Sequence, residues 1–221
     1  MTCKKCGGTG WQQITDENGH ITAKKCDCMN EENIAILLAN SHIPKGYIDK
    51  TVNDYIVTDD VAKALKSKAI EYVEIFKKDK VDGLYIYSKA KGCGKSHCAC
   101  AMGIALIKRQ MIMTRFTTLS DLLLELKSSL GYDTEINTLK VLEKYRTTDL
   151  LILDDLGVEK VSEWVEEMVY NIVDFRDKNV LPTIYTSNCK IEDLKYSDRI
   201  KSRIKGNTIS IQAPNEDRRG I

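Results

Sequence analysis

Lys89-Ala-Lys-Gly-Cys-Gly-Lys-Ser96 follows the apolar run Leu84-Tyr-Ile-Tyr87, and this order of strand and then glycine loop decides the fold. Glycines at 92 and 94 let backbone N–H groups approach phosphate oxygens. Lys95 reaches toward β- and γ-phosphates, and the Ser96 hydroxyl is placed to ligate Mg²⁺. The helix that opens there adds its positive end. Farther along, Asp149-Leu-Leu-Ile-Leu-Asp-Asp155 reads as a second apolar strand ending in paired carboxylates. One stretch supplies phosphate contacts and the other a metal-holding acid. A bland glycine turn accounts for the first alone; only a nucleoside triphosphate accounts for both.

Bulk properties narrow the field. The chain has 221 residues, of which 43% are hydrophobic, enough for one ordinary domain with a small appendage. A net charge of +1 excludes a global basic field for nucleic acid, so any such contact needs a local patch. No signal peptide is visible, and the apolar run Ile34 to Ala39 is too short to span a bilayer. A cytoplasmic protein with no membrane partner is expected. Eight cysteines in that compartment point to metal or buried thiols rather than disulfides.

Outward from the loop, strand and helix patterns alternate. Apolar positions from Val61 to Phe76 mark a helix, and a second helix follows the loop through Ala99, Met102, Leu106 and Ile107. Strands are read at Met113 to Thr117, Leu150 to Leu153, Leu181 to Thr186 and Thr208 to Gln212, with helices at Ser120 to Leu126, before Arg146, at Trp164 to Phe175 and at Asp198 to Arg203. The all-apolar Leu150 to Leu153 fits burial on both faces of a parallel sheet. The fold class is therefore α/β, a doubly wound sheet. A full strand–helix unit separates the loop strand from the carboxylate strand; resemblance to P-loop proteins of that kind implies that the Thr183 to Thr186 strand lies between those two.

The N-terminus reads separately. Cys3-Lys-Lys-Cys6 and Cys26-Asp-Cys28 flank two short strands, Trp11 to Thr15 and His20 to Lys24, around an Asn18-Gly19 turn. A hairpin brings its ends together, so Cys3, Cys6, Cys26 and Cys28 are expected to hold one structural zinc ion. A short helix from Asn30 or Glu31 then leads to Ile43-Pro-Lys-Gly-Tyr-Ile-Asp-Lys-Thr51, which reads as an extended linker. The expected division is a zinc hairpin over residues 1–30, helix and linker over 31–58, and an ATPase core over 59–221. Tyr132 and Tyr145 near Lys127, Lys140, Lys144 and Arg146 are candidates for a single-stranded DNA surface, although Glu125, Glu135 and Glu143 make a solvated face an equal reading. Cys98, Cys100 and Cys189 read as core residues and Trp164 as a packing residue.

These segments resemble the AAA+ ATPases of the DnaC/DnaI helicase-loader family. The similarity runs through Cys3-Lys-Lys-Cys-Gly-Gly-Thr-Gly-Trp11, Ile43-Pro-Lys-Gly-Tyr47, Gly92-Cys-Gly-Lys-Ser-His97, Asp149 to Gly157, Trp164-Val-Glu-Glu, Pro182-Thr-Ile-Tyr-Thr-Ser-Asn188 and Asp198-Arg-Ile-Lys-Ser-Arg203. The resemblance implies a P-loop sheet of core-strand order 5-1-4-3-2 without a C-terminal helical lid. It implies that Gly92, Cys93, Gly94, Lys95, Ser96 and His97 bind ATP, with Ser96 and Asp154 on Mg²⁺. Asp155 would align the attacking water, Asn188 would be the first sensor, and Arg203 the finger acting on a neighbour's nucleotide, with Arg199 as second candidate. Lys89 stands where the loop normally begins with Gly, and only Arg218 or Arg219 is left as a second sensor.

The function implied is ATP-dependent delivery of a replicative DNA helicase to single-stranded DNA by a homo-oligomer. Two other readings compete: a transposition-helper ATPase of the related IstB type, and an adaptor that binds nucleotide as a switch with little hydrolysis.

Overall fold

A computed structural model describes residues 4–6, 9, 11–15, 19–77, 80–129 and 134–218. A two-stranded antiparallel hairpin comes first, β1 (Trp11–Thr15) and β2 (Ile21–Lys25), followed by α1 (Asp27–Asn40). The core then runs α2 (Asp60–Ile75), β3 (Gly83–Tyr87), α3 (Lys95–Gln110), β4 (Thr114–Thr118), α4 (Leu119–Ser128), α5 (Thr134–Thr147), β5 (Leu150–Leu156), α6 (Glu163–Lys178), β6 (Thr183–Ser187), α7 (Asp198–Gly206) and β7 (Thr208–Gln212). Five strands form one parallel sheet in the order β4-β5-β6-β3-β7. The α/β class is as expected. β6 lies between the loop strand and the carboxylate strand, which sets its C-terminal end beside both.

The burial pattern explains the uninterrupted apolar strands. Successive side chains of a strand point to opposite faces. Leu150 and Ile152 of β5 enter the core packed with α2 and α3, while Leu151 and Leu153 enter the one packed with α6 and α7. Leu84 and Ile86 against Tyr85, and Ile184 against Tyr185, repeat the split. With helices on both faces, both sets of these positions are apolar. Each fully buried aliphatic contributes about 1.5–3 kcal/mol.

Helix starts follow local chemistry. Asp59, Thr118 and Ser162 each accept a bond from the backbone N–H three residues on, at the head of α2, α4 and α6. Gly103 lets α3 sit close to the sheet, since a Cβ there would meet Ile152 Cδ1 at 2.8 Å. Arg176 of α6 is 1% exposed. Its guanidinium donates to Thr183 Oγ1 and to the carbonyls of Tyr145, Arg146, Thr148 and Pro182, joining the end of α5 to the start of β6.

Several expectations change. The linker reading of Ile43 to Thr51 is overturned: the stretch holds a 3₁₀ turn at Lys45–Tyr47, a second follows at Val52–Asp54, and Ile43, Val52 and Tyr55 are buried in the main core. α1 begins at Asp27, earlier than Asn30, so Cys28 falls in its first turn. Tyr145 is buried, bonded to Glu125 and lying beneath Arg115, so it offers no stacking platform; Tyr132 lies outside the described residues. Cys98 and Cys100 are fully buried core residues, while Cys189 and Trp164 are half-buried against the second core. Among the described residues no helix is long and apolar enough to cross a membrane.

Candidate nucleotide site

The loop after β3 and the ends of β5 and β6 open onto one cleft of about 590 Å³. Its lining includes Gly92, Cys93, Gly94, Lys95, Ser96 and His97, together with Asp155 and Asn188. Gly92 (φ +71°) and Gly94 (φ +91°) adopt the left-handed backbone that only glycine takes cheaply. The first bond inside α3 runs from Cys98 N to Gly94 O. The N–H groups of Lys95, Ser96 and His97 therefore lie beyond the helix's own ladder and face an incoming anion. Lys95 is 6% exposed, and its ammonium donates to Ala90 O at 2.8 Å and Ser88 O at 3.3 Å. Those two carbonyls hold the cation across the loop.

At the metal end, the Ser96 hydroxyl lies 2.8 and 2.9 Å from the two Asp154 oxygens. Thr186 Oγ1 donates to Asp154 Oδ1 at 2.5 Å and accepts from Asp155 N at 3.0 Å. Burial pushes the Asp154 carboxyl above its usual range; the bonds from Thr186 and Ser96 pull it back, Asp155 adds repulsion and Lys95 attraction. A divalent cation at the Ser96–Asp154 pair would relieve that burial cost, so this donor set fits Mg²⁺. The β5–β6 register shifts between Leu153 and Leu156, and Asp155 takes φ +56° inside that irregularity. The bulge turns one carboxylate inward to Ser96 and leaves its neighbour exposed in the cleft.

Other residues complete the walls. Tyr55 packs its ring against Gly94, donates through its hydroxyl to Cys93 O at 3.0 Å, and meets the His97 ring edge-on at 6.0 Å. His97 Nε2 lies 3.2 Å from Thr51 O, so this histidine fastens the chain ahead of α2 to the phosphate loop. Arg218 returns from the C-terminal side: its N donates to Gly92 O, and its guanidinium reaches Ile56 O at 2.8 Å, Thr58 Oγ1 and Asp59. Lys89 is exposed and does not line the cleft. Arg219 lies outside the described residues. Sequence reasoning missed Thr186 and Tyr55, whose signals were a hydroxyl ending a buried strand and an aromatic that follows Asn53 and Asp54.

Two groups of expected residues are not brought here. Arg203 lies on α7, bound to α6, and Arg199 stacks on Tyr170 of α6. The cysteines of the hairpin region are the second group. Cys6 and Cys26 are buried there, whereas Cys3 and the Cys28 side chain lie outside the described residues. Among the described residues no group of three or more metal-ligating side chains occurs.

This geometry has relatives. The family model described as IstB-like ATP binding protein matches residues 49–198, more than half the chain. The chain belongs to this family. Among curated relatives, the replicative helicase loader DnaC of Buchnera aphidicola (subsp. Baizongia pistaciae) is 26% identical over 78% of this chain and 70% of its own length. The replicative helicase loader DnaI of Bacillus subtilis is 26% identical over 72% of this chain, which spans only half of that relative. A crystal structure of DnaI superposes with a TM-score of 0.69 at 26% identity, covering 78% of this chain and 95% of that one.

Proposed function

We propose that this protein is an ATPase of the helicase-loader kind, which delivers a replicative DNA helicase to single-stranded DNA. The observation that carries it is the convergence of Lys95, Ser96–Asp154, Asp155 and Asn188 on one cleft; the relatives named as loaders supply the biological role. MgATP fits the cleft. Lys95 and the N–H groups at the head of α3 would hold the phosphates, Ser96 and Asp154 the Mg²⁺, and bound Mg²⁺ supplies charge neutralisation at the phosphates. Asp155, outside the buried pair, would orient the attacking water, and Asn188 would report on the terminal phosphate. Arg203 lies outside its own cleft, which fits action on nucleotide held by a neighbouring copy. Such a trans arginine contributes roughly 10³–10⁵ in rate.

The hairpin would be a partner-gripping module held by one Zn²⁺. The antiparallel register pairs Trp11 with Lys25, which brings the segments of Cys6 and Cys26 together. Trp11, Ile14 and Ile21 are all exposed, so the hairpin has little apolar core and a metal would supply its stability. A second reading, the transposition-helper ATPase, is favoured by the family description itself.

The test measures ATP turnover for wild type, Lys95→Ala and Arg203→Ala, with and without single-stranded DNA. Turnover abolished by Lys95→Ala supports the ATPase. Intact ATP binding with no wild-type turnover under any condition makes the protein a nucleotide switch instead. Co-purification with a hexameric helicase supports the loader, and capture of a transposase the second reading.

A further inference from the structure

Arg203 is held on three sides. Its Nε donates to Asp174 Oδ1 at 2.6 Å and lies 3.8 Å from Asp177 Oδ2. Nη2 donates to the Tyr170 hydroxyl at 3.2 Å, and Nη1 to the Arg199 carbonyl at 3.1 Å. The guanidinium also sits over the Tyr170 ring, 4.9 Å from its centroid. A guanidinium carries five N–H donors in a planar fork. These bonds take one from each nitrogen, leaving one N–H on Nη1 and one on Nη2. The Arg203 side chain keeps 26% of its surface exposed, so part of it reaches solvent. One unused N–H on each terminal nitrogen provides two donors that phosphate oxygens can accept from.

The holders are themselves fixed. Tyr170 and Asp174 lie one turn apart on α6, so both project from one face. Asp174 Oδ2 accepts from Lys178 at 2.8 Å, so each carboxylate oxygen has its own cationic partner. Lys178 first, then Arg203 and Tyr170, hold the Asp174 carboxyl below its usual range, which keeps it ionised at neutral pH. Arg199, the other candidate finger, lies 4.2 Å from the Tyr170 centroid, and its side chain makes no hydrogen bond or ion pair among the described residues.

We propose that Asp174, with Tyr170, is the positioning residue that presets Arg203 as a two-pronged donor for a nucleotide phosphate on a neighbouring copy. This rests on Arg203 acting as the trans finger. Pre-ordering removes the rotamer freedom that a long side chain otherwise loses at assembly, and it fixes the approach of the fork. Lys178 maintains the charge of Asp174, and Asp177, 3.8 Å from Nε, adds a longer ion pair without a hydrogen bond.

The experiment is steady-state ATP hydrolysis by the full chain for wild type, Arg203→Ala, Asp174→Ala, Asp174→Asn, Tyr170→Phe and the Asp174→Ala/Arg203→Ala pair, with thermal unfolding of each. Asp174→Ala is expected to lower kcat about 10–100-fold, the scale of a misplaced catalytic group, with KM for ATP unchanged within about twofold. Asp174→Asn keeps an acceptor for Nε and restores most of the loss. Tyr170→Phe carries the test if Asp174→Ala does not fold, with about a threefold to tenfold loss. The double variant is no slower than Arg203→Ala. Full kcat in Asp174→Ala while Arg203→Ala is impaired overturns this inference alone, as does a raised kcat, which would mean that the carboxylate sequesters the arginine. Full kcat in Arg203→Ala overturns the trans-finger reading and this inference with it.

Discussion

Replacing Gly94 by Ala tests the architecture of the phosphate loop in one atom. The residue sits at φ +91°, where an L side chain costs roughly 1–2 kcal/mol. The added Cβ would lie 2.6 Å from Tyr55 Cε2 and 3.3 Å from Cδ2. The ring has little room to retreat. It is 4% exposed, its hydroxyl is bonded to Cys93 O, and the Arg218 guanidinium lies 5.8 Å above it. Overpacking of this kind adds about 1–3 kcal/mol, so the total is about 2–5 kcal/mol. Equilibrium urea unfolding reads it as a midpoint lowered by roughly 1 M or more with an unchanged slope. Calorimetric titration is expected to show ATP affinity falling as well, because the loop N–H groups move with Gly94. In a Tyr55→Ala background only the backbone part, about 1–2 kcal/mol, remains. A loss under about 0.5 kcal/mol, within the range of ordinary surface changes, or an identical loss with and without Tyr55, refutes the reasoning.

Two further outcomes follow from the geometry. Asp154 titrates in the folded state above its unfolded value of 3.8, so its favourable contribution is complete below that pH and is lost as pH rises. Asp154→Asn is thus expected to raise the unfolding midpoint of nucleotide-free protein at pH 8, with the gain shrinking toward pH 4, while turnover disappears; a gain that grows at low pH contradicts the burial argument. Metal analysis of purified protein is expected to give about one zinc per chain, reduced by Cys6→Ser, and protein without zinc removes the hairpin proposal.

The features legible in the sequence were those encoded by neighbours along the chain. Leu150 to Leu153 announced a strand buried on both faces because every position was apolar. Gly92 to Ser96 announced a glycine loop at a helix head because the necessary groups are consecutive. The separation of the two motifs by a strand–helix unit, taken with the habit of P-loop proteins built that way, put β6 between them, as found. What was misread lay where distant residues set the conformation. Ile43 to Thr51 carries turn residues and looked like a linker, yet Ile43 finds the main core once the sheet has formed. The pattern around Asp154 and Asp155 does not reveal a register shift that depends on β6.

By itself, then, the order of residues determined the α/β class, the glycine loop after its strand and the pair of acids that ends a second strand, because periodicity and motif spacing are local properties. Only the tertiary structure decided that Thr186 joins the two aspartates, that Tyr55 and Arg218 wall the cleft, and that Asp174 holds Arg203. Each of those contacts joins elements far apart in the chain or on different strands and helices. Hydrogen bonds and close packing are satisfied only once the sheet has brought them within about 3 Å, and no pattern along the sequence carries that distance.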